Sequence, residues 1–299
     1  MSQQSNEHDR GASRPDGTGP ARHDEDRSGD GQPRPREGSG LLTHRVVEDP
    51  VVTARALTKI YGRGENAVTA LDQVDVSVAR ARFTAVMGPS GSGKSTLLHC
   101  LSGMDRPSGG SVLLGDTDLA ALDERELSAL RLSRFGFVFQ QAHLLSTLCL
   151  LDNIVLPGFL ASLRPRQEVE ARGRRLMERM GISELAGNDI TEVSGGQLQR
   201  AGICRALINE PGVVFADEPT GALNSATAAQ ILDLLGEIHA SGTTLVVVTH
   251  DAQVAARADR VLLLVDGAVV EDLALGRYQE AWAAERLSTV SEALQRRSV

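Results

Sequence analysis

Lysine is almost absent from this sequence. Lys59 and Lys94 are the only two, and arginine supplies the rest of the 31 basic residues. Such a bias follows genomic base composition, so a lysine kept against it points to work that a guanidinium does poorly. Aromatics are scarce as well, at 3% with a single Trp, which argues against a platform for stacking the bases of a nucleic-acid strand. Positive charge is not in excess. The formal net charge is −8, and a phosphate backbone would be repelled. The three cysteines, Cys100, Cys149 and Cys204, match no C-x-x-C spacing, and an odd number gives no disulfide framework. A reducing compartment is therefore expected. Long apolar runs are missing too. The most apolar stretches, Leu245–Val248 and Val261–Val265, are far too short to span a bilayer. The polar N-terminus shows no signal-peptide pattern, so any membrane role is expected to come through a partner.

What is present reads as a globular chain. The 299 residues are 41% hydrophobic and 23% charged, enough for one large domain or two ordinary ones. Residues 1–40 are the exception, with Met1, Ala12 and Ala21 as their only hydrophobic side chains. Such a stretch cannot bury enough apolar surface to offset its ordering entropy, and a disordered polar tail is expected over residues 1–48. Beyond it, Val51–Ile60 and Val68–Val78 alternate like strands. Short apolar runs follow at Phe83–Met87, Phe135–Phe139, Val213–Ala216, Thr244–Thr249 and Val261–Val265. Helical stretches fall between them at Lys94–Leu101, Gln167–Met180, Gln197–Ile208 and Ala226–Ala240. Buried strands alternating with helices predict an α/β domain with a largely parallel sheet. Asp266-Gly267 predicts a tight hairpin turn, and Glu280–Arg297 a final helix.

Three segments carry chemistry. Gly88-Pro89-Ser90-Gly91-Ser92-Gly93-Lys94-Ser95 matches the P-loop pattern G-x-x-x-x-G-K-[ST], with a strand before it and a helix after it. The glycines let the loop curl so that backbone N–H groups face phosphate oxygens, and the helix adds its N-terminal dipole. Lys94 offers a compact charge to the β- and γ-phosphates, and Ser95 an oxygen to Mg²⁺. Val213–Ala216 ends in Asp217-Glu218, a Walker B pattern. Two such acids alone also fit a solvated turn. Beside a P-loop, Asp217 is expected to hold Mg²⁺ through water and Glu218 to polarise the attacking water. Ser194-Gly195-Gly196-Gln197 opens a second helix and makes a second phosphate-binding terminus. One nucleotide does not need two such devices from one chain, whereas a site shared between two chains does.

Over residues 51–272 the sequence resembles the nucleotide-binding subunits of ATP-binding cassette (ABC) transporters. The resemblance rests on the P-loop, on Ser194–Gln197, on Asp217-Glu218-Pro219-Thr220-Gly221, on Gln140 after Phe135–Phe139, and on His250 after Thr244–Thr249. It implies a P-loop NTPase fold of ABC type, with a mostly parallel core sheet, an antiparallel β subdomain and a helical signature subdomain. The implied division is an ATPase domain over 49–272 and a C-terminal helical extension over 273–299. Tyr61 would stack on adenine, and Thr96 would join the P-loop residues in holding ATP. Gln140 would contact Mg²⁺ and water. His250 would hydrogen-bond the γ-phosphate, placing it with Glu218, Lys94 and Gln140 in catalysis. Ser194, Gly195, Gly196 and Gln197 would cap ATP bound to a second copy, giving a head-to-tail dimer around two ATP. The implied setting is the cytoplasmic face of a membrane, bound to a separate permease, with no nucleic acid.

Met87–His99, Phe137–Gln141, Leu144-Leu145, Asn153 and Ala216–Asn224 narrow the resemblance. They resemble the branch serving macrolide export, lipoprotein release, antimicrobial-peptide resistance and the cell-division complex. Export is the expected direction. A cell-division-type regulator of cell-wall enzymes would use the same motor without moving cargo, and a soluble ABC protein of translation or DNA repair is a third reading. The apolar segment Gln140–Leu151, with Glu192 nearby, is the expected seat of a permease helix. Four positions depart from the family pattern: Val193 for Leu, Asn224 for Asp, Ala81-Arg82 for Gly-Glu, and Ser146 for Pro.

Overall fold

The computed structural model describes residues 49–297, so the tail expected over 1–48 lies outside the described residues. The chain opens with two long strands, β1 (Pro50–Tyr61) and β2 (Val68–Ala79), paired antiparallel. Next come β3 (Phe83–Met87), α1 (Lys94–Leu101), β4 (Gly109–Leu114), the two-residue β5 (Thr117–Asp118), α2 (Glu124–Arg134) and β6 (Phe135–Phe139). A helical region contains α3 (Leu150–Ala161), α4 (Arg166–Arg179) and α5 (Gly195–Leu207). The chain continues through β7 (Val213–Asp217), α6 (Ser225–Ala240), β8 (Thr244–Val248), α7 (Ala252–Ala256), β9 (Arg260–Val265) and β10 (Ala268–Ala274) to α8 (Ala283–Arg297).

Two sheets result. An antiparallel sheet has the order β2-β1-β4-β5, and a larger one the order β10-β9-β3-β8-β7-β6. In the larger sheet every pairing is parallel except that of the last hairpin, β9–β10. The composition explains this. β3 and β8 are buried at every position, as a strand covered on both faces must be. The hairpin turns on Asp266 and Gly267, both at positive φ, as the Asp-Gly pair requires. The α/β fold and the antiparallel sheet are as expected.

The helical region is held by small residues. A Cβ at Gly158 would stand 2.4 Å from Val169 Cγ1, and one at Gly173 would stand 2.6 Å from Val155 Cγ1, so α3 and α4 pack closely. The final helix starts at Ala283, after a 3₁₀ turn over Glu280–Trp282. β10 runs two residues past the expected domain boundary at 272. The buried Arg286 guanidinium ties α8 to the cassette by donating to the carbonyls of Ala256, Ala258 and Leu275.

Candidate nucleotide-binding site

The parallel sheet gathers the site. β3, β6, β7 and β8 run in one direction, and their C-terminal ends lie side by side: Phe139 pairs with Asp217, Asp217 with Val248, and Val86 with Val248. The residues that follow these ends are the P-loop, Gln140, Glu218, and Thr249 with His250. Open α/β sheets bind ligands at this edge.

The P-loop is fixed by its glycines. Gly93 has φ +98°, and a Cβ there would meet the Ala70 carbonyl oxygen at 2.3 Å. Pro89, Ser90, Gly91 and Ser95 are exposed, while Gly88, Ser92 and Lys94 are buried and Gly93 and Thr96 half-buried. The Lys94 ammonium donates to the carbonyls of Gly88 (2.9 Å) and Pro89 (2.8 Å), so it lies inside the curl of the loop. Burial pulls the Lys94 ammonium below its ordinary pKa, and Glu218 and Asp217 partly oppose that.

Ser95 Oγ donates to Asp217 Oδ1 at 3.1 Å, which joins P-loop and Walker B. A hydroxyl and a carboxylate in contact are hard oxygen donors suited to Mg²⁺. Among the described residues no three His, Cys, Asp or Glu cluster as a metal site on their own.

Glu218 is held from three sides. Its backbone adopts φ +46°, unusual for a non-glycine residue, and its N–H donates to Val248 O at 2.9 Å. Thr249 Oγ1 donates to Oε2 at 3.3 Å, and His250 Nδ1 lies 2.7 Å from Oε1. The His250 side chain is 70% exposed and free to meet a ligand, while Glu218 is only 17% exposed. A cavity of about 500 Å³ opens beside the pair, walled further by Thr220, Leu232, Arg257 and Tyr278. The Gln140 side chain rests against Gly221, where a Cβ would stand 2.9 Å from Nε2.

The signature segment is organised separately. Ser194 caps α5, with its Oγ accepting from Gln197 N and its N–H donating to Gln197 Oε1 at 2.8 Å. Ser194 and Gly195 are exposed, and Gly196 lies against Thr227. These residues touch one another and the start of α6. Tyr61 closes β1 and is 42% exposed, with its hydroxyl donating to Asp105 Oδ2 at 2.8 Å. Asn224, the uncharged departure, caps α6 by accepting from Thr227 N at 3.0 Å, a bond an aspartate would also make.

Several contributors escape motif reading. Gln199 is buried and donates to Phe139 O (2.9 Å) and Pro219 O (2.8 Å), tying α5 to the strand ends that carry Gln140 and Glu218. Thr249 and Asp105 likewise hold Glu218 and Tyr61. In the sequence Asn153 belongs only to the branch pattern. Its amide bonds both backbone groups of Leu145 and the carbonyls of Leu148 and Cys149, pinning the segment after Gln140.

Fold and site together define a P-loop nucleotide-binding cassette with a second capped helix N-terminus at Ser194. The family model described as ABC transporter matches residues 71–221, and the chain belongs to that family. The chain is 45% identical over 233 residues to a protein named macrolide export ATP-binding/permease protein MacB from Rhodopseudomonas palustris, covering 78% of this chain and 35% of that protein. A protein named MacB 1/2 from Paracoccus denitrificans is 44% identical over 227 residues, covering 76% of this chain and 34% of its own length. The chain thus spans about a third of the length of these curated relatives. Among solved structures, the ATP-binding cassette MJ0796, described as dimeric, in a post-hydrolysis state and bound to ADP and Pi, is similar with a TM-score of 0.71. It is 36% identical, and the match covers 76% of this chain and all of that one. The protein cbiO1 from Clostridium perfringens, described as part of the ABC transporter complex cbiONQ, matches with a TM-score of 0.68 at 28% identity, covering 83% of this chain and 97% of that one.

Proposed function

We propose that this chain is the ATP-hydrolysing motor of an export transporter, working as a head-to-tail dimer on a membrane permease. The observation that carries the reading is the division of labour in the site. Lys94, Ser95, Asp217, Glu218 and His250 meet at one sheet edge, while Ser194–Gln197 form a phosphate-binding terminus turned to other contacts. A second copy supplies what each site lacks.

Gly88–Ser95 and Thr96 bind the triphosphate through backbone N–H groups and the Lys94 charge, and the exposed Tyr61 ring takes the base. Ser95, Asp217 and Gln140 would hold Mg²⁺, which when bound neutralises charge on the β- and γ-phosphates. Glu218, aimed by its bonds to Val248, Thr249 and His250, orients water and accepts its proton. His250 contacts the terminal phosphate while steadying Glu218. Ser194, Gly195, Gly196 and Gln197 of the second copy close the site.

The permease seat is an apolar groove of about 460 Å³ whose lining includes Met104, Phe137, Phe139, Leu145, Leu156 and Leu160. Leu145 is 50% exposed and Leu160 65%. Neither Gln140 nor Glu192 lines it, although both belong to the expected surface. Among the described residues no helix is long and apolar enough to cross a membrane. We take the groove's occupant to be a helix of that permease, at the cytoplasmic face. A separate permease chain is the expected form, and the relatives' printed names join ATP-binding and permease parts. Phosphate release by the full chain, compared with Lys94→Ala, tests the motor. The reading predicts loss of turnover in the variant, and full retained turnover would remove it.

A further inference from the structure

The two lysines of the sequence find different tasks. Lys94 sits in the P-loop, and Lys59 lies at the far end of β1, two residues before Tyr61. The register of β1 shifts between Lys59 and Ile60, and the Lys59 and Tyr61 side chains stand side by side. Lys59 Nζ lies 4.8 Å from the centre of the Tyr61 ring. It also donates to Asp105 Oδ1 at 2.6 Å and to Arg106 O at 2.8 Å. The second oxygen of the same carboxylate accepts the Tyr61 hydroxyl.

We propose that Lys59 and Asp105 are positioning residues for the base-binding tyrosine, locking the Tyr61 ring with an ammonium on one face and leaving the other for a purine. The inference rests on the reading of Tyr61 as the base-stacking residue. The Lys59 side chain is only 12% exposed, whereas Tyr61 is 42% exposed, so the cation is enclosed while the ring is open. The clamp is anchored to the phosphate site. Asp105 N and Met104 N both donate to His99 O, which fixes Asp105 to the end of α1, the helix that Lys94 begins. One short rigid helix thus connects the phosphate cradle to the base platform. Ser108 adds a second tie, with its N–H bonding Thr58 O and its Oγ accepting from Ile60 N.

The geometry explains why lysine is retained here. An ammonium directs compact, tetrahedral donors to a carboxylate and a carbonyl while its charge faces the ring. A planar guanidinium could not satisfy all three from this enclosed position without displacing one. Burial would raise the Asp105 carboxyl, but the hydrogen bonds from Lys59 and Tyr61 outweigh it and hold the group below its usual value. Asp105 thus stays charged and the clamp stays closed. A ring ordered before the nucleotide arrives reduces the ordering cost of binding. A cation on one face also draws electron density from the ring, which favours an electron-rich purine on the other.

The test compares ATP with inorganic tripolyphosphate, a probe that uses the phosphate cradle and has no base. Equilibrium binding of both is measured on the full chain and on Lys59→Met, Asp105→Asn and Tyr61→Phe. Tyr61→Phe keeps the ring and removes the hydroxyl with its bonds to Asp105 and Thr96. Each variant should weaken ATP, by about fivefold for Lys59→Met, and leave tripolyphosphate unchanged. In turnover, KM for ATP should rise while kcat holds. Unchanged ATP affinity in Lys59→Met, or an equal loss for both probes, would overturn the proposal. Should Lys59→Met fail to fold, Tyr61→Phe decides by the same two outcomes. Tyr61→Leu separates the two levels. If it leaves ATP affinity intact, the stacking reading itself fails. If it weakens ATP while Lys59→Met and Tyr61→Phe do not, only the positioning proposal fails.

Discussion

His250 Nδ1 stands 2.7 Å from Glu218 Oε1, joining residues 32 apart in sequence across the ends of β7 and β8. The contact exists because Glu218 sits at φ +46° with its N–H bonded to Val248 O, which turns the carboxyl toward the residues after β8. The imidazole steadies the carboxylate, and on the proposed reading its exposed edge also meets the terminal phosphate.

Removing that imidazole should impair chemistry more than binding. In His250→Ala, phosphate release is expected to fall by about 10²-fold, the usual loss when one transition-state donor is deleted. ATP affinity should stay within about twofold, because the P-loop contacts of Lys94 remain. Single-turnover hydrolysis and equilibrium binding check this. Turnover near that of the parent would show that the pair is not used.

Ala81 gives a prediction about stability. It stands where the family pattern has Gly, and it adopts φ +50°, the left-handed region that costs an L-residue energy. Its N–H donates to Thr244 Oγ1 at 3.0 Å, which holds it there. Ala81→Gly should relieve the strain and raise stability by about 1 kcal/mol, after allowing for the greater freedom of glycine in the unfolded chain. Thermal and urea unfolding measure it, and a lowered midpoint would count against the argument.

Acid should weaken the clamp at the start of β3. Asp259 Oδ2 accepts from Phe83 N at 3.0 Å and lies 3.1 Å from His239 Nε2. Burial pushes the Asp259 carboxyl up, but the hydrogen bonds from His239 and Phe83, with the charges of His239 and Arg82, outweigh it and leave the group below its ordinary value. A carboxyl depressed in the folded state adds stability above its unfolded value, and that stability is lost as pH falls through the folded one. The stability difference between parent and Asp259→Asn should be full near about pH 6 and shrink toward about pH 3. A difference that grows on acidification would contradict the assignment.

Much of this architecture was legible in the sequence for a physical reason. Strands buried on both faces must be short, apolar and bounded by turns, as Phe83–Met87 and Thr244–Val248 are. The P-loop and the α5 cap are local devices whose residues are contiguous. Two helices were harder to read. α2 fully buries only Leu127, and Leu130 and Leu132 are set among charged and small residues, although Asp123 and Glu126 form a capping box at its start. α3 is apolar on nearly every side and contains Pro157, so no helical period shows. The supports of the site were invisible because they are long-range. Asp105 meets Tyr61 across 44 residues, and Gln199 meets Phe139 across 60.

On the proposed reading two copies of the chain share each ATP. The most direct measurement is the mass in solution of Glu218→Gln with ATP and Mg²⁺, by light scattering, with and without Ser194→Arg added. Glu218→Gln keeps the P-loop contacts but cannot take the proton from water, so bound ATP should persist and hold two chains together. The mass should shift from 31.8 kDa to twice that on adding ATP. Ser194→Arg should abolish the shift while each chain still binds ATP, because the arginine would intrude where the partner's phosphate lies. A dimer that survives Ser194→Arg, or a monomer saturated with ATP in Glu218→Gln, would contradict it.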